Sequence, residues 1–293
     1  MKTLKFFNLA LLGAAITLSS CEQEPMSELD GSVNFSASLS EYQTKADPSF
    51  TSGNKARIYV YEGATTTAPK ATTTATAGAS GVLTPSPKVT LPKGTYGFYC
   101  VSDNTSSDPT ISITSGVSGA LANGKDYIVA YKSADINANS STVTFGLKHL
   151  CSKIKINVTG TNGVTDLSIS ELRIYLPTEG GKLTLSSSNN GGAISIAAGK
   201  SDARTAMSKS GNSFSQIVLP CKDAAFSVEL AATYKIQGTS YSKKFTASTT
   251  ITDGFVAGNE YTIALQITSK DVEFSGTTVA PWVSKTVTIT PIL

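Results

Sequence analysis

Apolar and polar residues alternate with a period of two along most of the chain beyond residue 31. In Lys153-Ile154-Lys155-Ile156-Asn157-Val158 the even positions are apolar and both lysines fall on the opposite face. Thr142-Val143-Thr144-Phe145-Gly146-Leu147 sets Val143, Phe145 and Leu147 together, and Arg57-Ile58-Tyr59-Val60-Tyr61 does the same for Ile58 and Val60. A strand turns successive side chains to opposite faces, so each run predicts a half-buried strand. Residues 172–176, 226–230 and 261–267 repeat the pattern. Between the runs lie Asn123-Gly124, Thr161-Asn162-Gly163, residues 189–192 and Gly211-Asn212, residue types that tolerate the positive φ of turns. Short strands punctuated in this way predict an all-β chain of antiparallel sandwiches rather than βαβ units. Two stretches break the alternation. Residues 202–208 read as a helix candidate, and the low-complexity Thr/Ala segment 65–79 reads as a long exposed loop.

The first twenty residues are of another kind. Lys2 and Lys5 precede an apolar stretch that is too short to span a bilayer and ends in small residues, which predicts a secretory signal peptide over 1–20. Leu18-Ser19-Ser20-Cys21 then matches a lipobox, in which small side chains leave the cysteine sulfur accessible for acylation. Several acyl chains on one residue, at about 0.8 kcal/mol per buried methylene, hold a protein at a membrane without a spanning helix. Cys21 is therefore the expected lipid anchor, with 21–31 as a polar leash and export to the cell outer membrane and surface. Lys2 and Lys5 also account for most of the formal +3 charge, so the slight basic excess points to no nucleic-acid partner. Low charge and abundant Ser and Thr suit an exported β-protein.

The candidate chemistry is sparse. With one histidine, His149, the chain cannot build a multi-histidine metal site, and it carries no glycine-rich phosphate loop, zinc signature or nucleophile elbow. No enzyme activity and no cofactor are expected. Cys100, Cys151 and Cys221 could form one disulfide and leave one thiol, but each sits beside strand-like sequence and no CxxC pair exists, which favours three buried small hydrophobes. His149 and Cys151 would share a strand face, yet two potential ligands alone make neither a catalytic nor a metal site. Glu171 and Glu229 fall on the solvated faces of their strands. Trp282, behind Pro281, is expected to anchor packing rather than to stack on a sugar. One alternating run ends and another begins at His149, dividing the body into 32–149 and 150–293.

At that junction Phe145-Gly146-Leu147-Lys148-His149-Leu150-Cys151-Ser152-Lys153-Ile154-Lys155-Ile156 resembles the fimbrillin signature of a histidine, a small residue, a lysine and an alternating strand. Leu91-Pro92-Lys93-Gly94-Thr95-Tyr96-Gly97-Phe98-Tyr99 with Asn104 is similar to that family's Gly-x-Tyr strand. Residues 255–263, Val272-Glu273-Phe274-Ser275 and Pro281-Trp282 resemble its C-terminal block. The resemblance implies two transthyretin-like antiparallel β-sandwich domains in tandem, no enzymatic activity, and a lipoprotein assembled with other pilin subunits into surface fimbriae that support adhesion. It further implies a maturation protease that removes the N-terminal segment, opening a groove that a neighbour's strand fills. Ser32-Val33-Asn34-Phe35-Ser36-Ala37-Ser38-Leu39 alternates as the removable strand would, and Gln43-Thr44-Lys45-Ala46 stands where shaft pilins carry Thr-Arg-Ala, which makes Lys45 and Ala46 the candidate processing site. Near the other end, Val283, Val287 and Ile289 share one face of an alternating run and are candidate donor-strand knobs; the same run could instead be the last strand of its own domain. A surface lipoprotein that binds glycans without polymerising is the alternative function.

Overall fold

The computed structural model describes residues 31–39, 50–63, 65–137, 140–161, 163–268 and 271–282. Cys21, Lys45, Ala46, Val283, Val287 and Ile289 lie outside them. The described chain is all-β, with a single 3-10 turn at Ala79–Gly81.

Its first part contains β1 (Gly31–Leu39), β2 (Lys55–Glu62), β3 (Ala71–Ala77), β4 (Val82–Ser86), β5 (Val89–Leu91), β6 (Gly94–Ser102), the short β7 (Ile113–Thr114) and β8 (Val117–Ser118), β9 (Ile128–Ile136) and β10 (Ser141–His149). Strands β10, β9, β6, β2, β3, β4, β1 and β5 follow one another across an eight-stranded sheet, and an additional β1–β10 pairing closes it on itself. The inward positions of this closed sheet, among them Phe35, Ile58, Phe98, Ile128, Phe145 and Leu147, form one apolar core.

The second part is a sandwich. It comprises β11 (Ser152–Gly160), β12 (Val164–Pro177), β13 (Leu183–Thr184), β14 (Ala193–Ile194), β15 (Lys200–Ala206), β16 (Ser208–Ser210), β17 (Ser213–Val218), β18 (Ala225–Ile236), β19 (Thr239–Thr250), β20 (Asn259–Ile267) and β21 (Val272–Pro281). A sheet ordered β16-β17-β11-β20-β21 faces one ordered β15-β12-β18-β19. Ile154, Ile156 and Val158 from one meet Leu172, Ile174, Val228 and Leu230 from the other in a second core.

A third cluster joins the two parts. Tyr59, Tyr61, Tyr99 and Val129, on the outer face of the first sheet, pack with Leu183, Leu185, Ile194 and Leu219 from the second part. A small sheet ordered β14-β13-β8-β7 draws on both parts, and Leu185 N–H donates to Gly116 O (2.8 Å) while Leu121 N–H donates to Gly181 O (2.8 Å). The turn at 189–192 clips onto the first sheet: Asn190 Nδ2 donates to Gly146 O (3.1 Å) and Tyr131 N–H donates to Asn190 Oδ1 (3.2 Å). Gly191 has φ +99, and a Cβ there would lie 2.7 Å from Val129 Cγ2 and 2.8 Å from the Ala130 carbonyl carbon. Gly191→Ala should therefore cost about 2–3 kcal/mol in thermal melts, combining backbone strain with overpacking, whereas Gly119→Ala, with nothing within 4 Å, should stay within about 0.5 kcal/mol.

Four expectations change. Residues 202–208 are extended: β15 pairs with β12, from Arg173 opposite Ala206 to Pro177 opposite Lys200, and Met207 N–H donates to Leu172 O (2.9 Å). An available sheet edge overrides the helix preference of a short segment. Within 65–79, β3 is an interior strand between β2 and β4, with Thr73, Ala75 and Ala77 buried. Threonine's branched Cβ suits a strand, and alanine fits where the core leaves little room. The pairing is not purely antiparallel, because β1 runs parallel to β10 and β11 parallel to β20. Finally, β2 is buried on both faces: Ile58 and Val60 enter the first core while Tyr59 and Tyr61 enter the joining cluster.

Burial in that cluster has a pH signature. The Tyr61 phenol is pushed up to about 12, first by loss of hydration and then by Tyr59 and Tyr99; burial also raises Tyr99 and Tyr127. A raised folded-state pKa favours the protonated form in the fold. The stability this contributes is complete below the unfolded value near 10 and is lost as pH climbs toward about 12. Phenolate absorbance should show a tyrosine class titrating late, together with unfolding by circular dichroism. Titration of every tyrosine near pH 10 with the fold intact would contradict this packing.

Candidate functional site

The site is the seat of β1. Its odd positions point inward: Val33, Phe35 and Ala37 are buried, while Ser32 and Asn34 are exposed. Phe35 reaches deepest, with ring centroids 5.9 Å from Phe98 in an edge contact and 6.1 Å from Phe145 in a stacked one. Along one edge β1 pairs with β10 from Val33 opposite Ser141 to Leu39 opposite Leu147. Outward side chains add two contacts there, Asn34 Nδ2 donating to Ser140 Oγ (2.6 Å) and Ser36 Oγ lying 2.9 Å from Thr144 Oγ1.

The opposite edge is held in pieces. β4 pairs only at Phe35 and Ser36, β5 only at residues 31–33, and Phe50 N–H donates to Ala37 O (3.3 Å). One continuous ladder and one broken ladder therefore hold β1, and its inward side chains fill a slot between Phe98, Phe145 and Leu83. Remove β1 and the slot is apolar with an unpaired backbone on both sides, the condition in which another strand is taken up.

At the far end of the described chain, Trp282 N–H donates to Gly258 O (2.8 Å), and the indole stacks on the His149 ring at 4.3 Å and 3°. A carboxylate oxygen can only accept, so His149 Nδ1 donates to Asp126 Oδ1 (2.6 Å). Asp126 Oδ2 accepts from Asn104 Nδ2 (2.7 Å), and Asn104 Oδ1 accepts from Asn54 Nδ2 (2.9 Å). This chain of part-buried polar contacts ties the last described residue to the loop that follows Phe50. Trp282 thus packs on His149, in keeping with the packing role expected of it; its partner was not legible in the sequence. Asp126 and Asn104 complete the network; Asn104 belongs to the Gly-x-Tyr resemblance, whereas the nearest sequence signal to Asp126 is the turn at Asn123-Gly124.

His149 and Cys151 have different packing partners. The imidazole is engaged by Asp126 and Trp282, whereas Cys151 lies in the joining cluster with Leu150 and Leu219, its thiol pushed up to about 12 by burial. That direction opposes nucleophilic use. Cys100, Cys151 and Cys221 are all free and buried, and burial raises Cys100 as well. Glu171 pairs with Arg173 (2.9 Å) and Glu229 with Arg204 (3.7 Å) on an outer sheet face. Among the described residues, no cluster of three or more His, Cys, Asp or Glu side chains could hold a metal ion, and no helix is long and apolar enough to cross a membrane.

The sequence profile of the fimbrillin-like family matches residues 44–282. The chain belongs to the fimbrillin-like family. Solved structures with this fold include a candidate cell adhesion protein from Bacteroides uniformis, 16% identical, with 86% of this chain and 99% of that one covered at a TM-score of 0.61. A second candidate cell adhesion protein, from Bacteroides fragilis, is 17% identical, with 88% and 100% covered at 0.54. A third, from Bacteroides ovatus, is 14% identical, with 87% and 98% covered at 0.53. No curated protein sequence matches this fimbrillin-like chain.

Proposed function

We propose that this fimbrillin-like chain is a structural subunit of cell-surface fimbriae that supports adhesion, built as two transthyretin-like sandwiches that meet near His149. It is exported behind the signal peptide 1–20 and lipidated at Cys21, which tethers it to the outer membrane. A maturation protease then cuts at Lys45-Ala46, and subunits join head to tail as a donor strand bearing Val283, Val287 and Ile289 fills the vacated seat of β1. Contacts that do not close on themselves grow a filament. The observation that carries this reading is β1 itself, a strand with alternate residues buried in the core, hydrogen-bonded on both edges and followed directly by the segment that contains Lys45 and Ala46.

Glycan binding without assembly has less support, since its most obvious platform, Trp282, has one indole face stacked on His149. Mass spectrometry of the protein sheared from surface fimbriae tests the proposal. A mature N-terminus at Ala46 is expected there; recovery only of chains that begin at an acylated Cys21 would overturn processing and assembly.

A further inference from the structure

The β12–β18 ladder stops at Ile174 opposite Val228, while the pairs on either side of it run on. β12 stays with β15 as far as Pro177 opposite Lys200, and β18 stays with β19 as far as Ala225 opposite Thr250. The sheet therefore splits between β12 and β18. A cleft of about 410 Å³ occupies the split, and its walls include Tyr175, Lys200, Asp202, Asp223, Ser227 and Ser248. At Ala225 side chains take the place of a strand partner: Lys200 Nζ donates to Ala225 O, and Ala225 N–H donates to Asp223 Oδ1 (2.9 Å). We propose that this cleft binds a neutral carbohydrate. The inference rests on the reading of the chain as a fimbrial subunit that supports adhesion, and it adds to that reading a site and the chemical class of its ligand.

The walls decide the class. A sugar hydroxyl both donates and accepts, and the cleft offers both functions: the aspartates accept, while the serine hydroxyls do either. The Tyr175 ring adds a flat apolar surface, held in place by the Arg204 guanidinium 4.5 Å over it. Other ligands fit worse. An acyl chain needs an apolar wall, and two carboxylates deny it one. An anion would meet Asp202 and Asp223, whereas Lys200 is already engaged by Ala225 O and by Asp223 Oδ2 at 3.8 Å. An added strand would find both backbone groups of Ala225 taken. The Lys200 side chain is only 8% exposed, which fixes the wall it forms, and the volume lies within the range of ligand pockets, about 300–1,000 Å³. The strands β12, β15, β18 and β19 form no part of the first sheet or of the joining cluster, so release of β1 leaves the cleft as it is. In a filament every copy repeats it, and weak single sites then act together.

Titration of the uncleaved, isotope-labelled full chain tests the site, with lactose, maltotriose and chitobiose as neutral probes, sialyllactose as an acidic one and decanoate as an apolar one. At least one neutral sugar should move the backbone amides of Tyr175, Asp202, Ser227 and Ser248 in a saturable way. Asp202 and Ser248 are exposed, so Asp202→Ala and Ser248→Leu should each keep Tm within about 1 °C. Asp202→Ala removes a charged acceptor and should weaken that sugar about tenfold; Ser248→Leu removes a hydroxyl and narrows the mouth, and should weaken it as well. Sialyllactose and decanoate should bind there more weakly than the best neutral sugar. Tighter binding of either would overturn the neutral-carbohydrate class. No shift from any of the three neutral sugars, or shifts that both variants leave unchanged, would overturn the site. Assembly is scored separately: cut within residues 43–46, Asp202→Ala should multimerise at the wild-type rate. A chain that multimerises but binds no neutral sugar loses this inference alone, and one that binds in the cleft but never multimerises contradicts the assembly reading alone.

Discussion

Phe35→Ala should lower the stability of the uncleaved chain by about 4 kcal/mol, because a fully buried phenylalanine loses its transfer energy and leaves a cavity between Phe98 and Phe145. For a body of this size that corresponds to a fall in Tm of about 10 °C. The exposed Ser32 serves as control, and Ser32→Ala should move Tm by about 1 °C or less. A second consequence separates a replaceable strand from an ordinary core strand. Phe35→Ala weakens only the state in which β1 occupies its seat, so after cleavage at residues 43–46 the variant should release β1 and multimerise faster than wild type. A Tm shift under about 2 °C, or slower multimerisation, would show that Phe35 does not hold the strand in place.

The combined variant Val287→Asp/Ile289→Asp carries the other large effect. Each aspartate would bring a charge into an apolar slot that offers it no partner, a penalty of several kcal/mol per group. Two such penalties exceed what a single added strand recovers from its backbone bonds, at about 1 kcal/mol each. Polymer ladders should disappear on gels. The Tm of the uncleaved monomer should change by less than about 2 °C, since the proposal places these side chains in a neighbour rather than in their own core. Ladders of wild-type length would remove Val287 and Ile289 as knobs. An intact ladder joined to a large drop in monomer stability would make the segment the last strand of its own domain.

The core was largely legible because period-two alternation with one apolar face is what a half-buried strand requires. Val143, Phe145 and Leu147, like Ile154, Ile156 and Val158, are buried as read, and Gly124, Gly163, Gly191 and Gly211 take positive φ at the turns where they were expected. What the alternation could not show was the second face. Tyr59 and Tyr61 read as the outward partners of Ile58 and Val60, but the outer side of that sheet is covered by the second part of the chain, and no local pattern records what will pack there. Composition misled at β3, where alternating threonine and small alanine is strand sequence in a crowded place. Propensity misled at 202–208, where pairing to β12 decided the outcome.

At the candidate site, the alternation of residues 32–39 was readable, but its partner was not. β1 lies parallel to β10, more than a hundred residues away, and sequence alternation carries no information on register between distant strands. The link from Trp282 through His149 and Asp126 to Asn104 and Asn54 was equally hidden: Trp282, His149 and Asn104 each stand in a recognisable motif, but nothing in those motifs records that they touch, and Asp126 and Asn54 carry no signal of their own.

Whether β1 is a replaceable part of the first core is decided by native mass spectrometry of the full chain cut only within residues 43–46. The cut chain should first keep β1 as a non-covalent passenger, then lose it while dimers and longer multimers, each subunit lacking residues 1–45, grow at the same rate. A cut chain that keeps β1 indefinitely as a stable monomer, or that unfolds as β1 leaves without forming multimers, would contradict it.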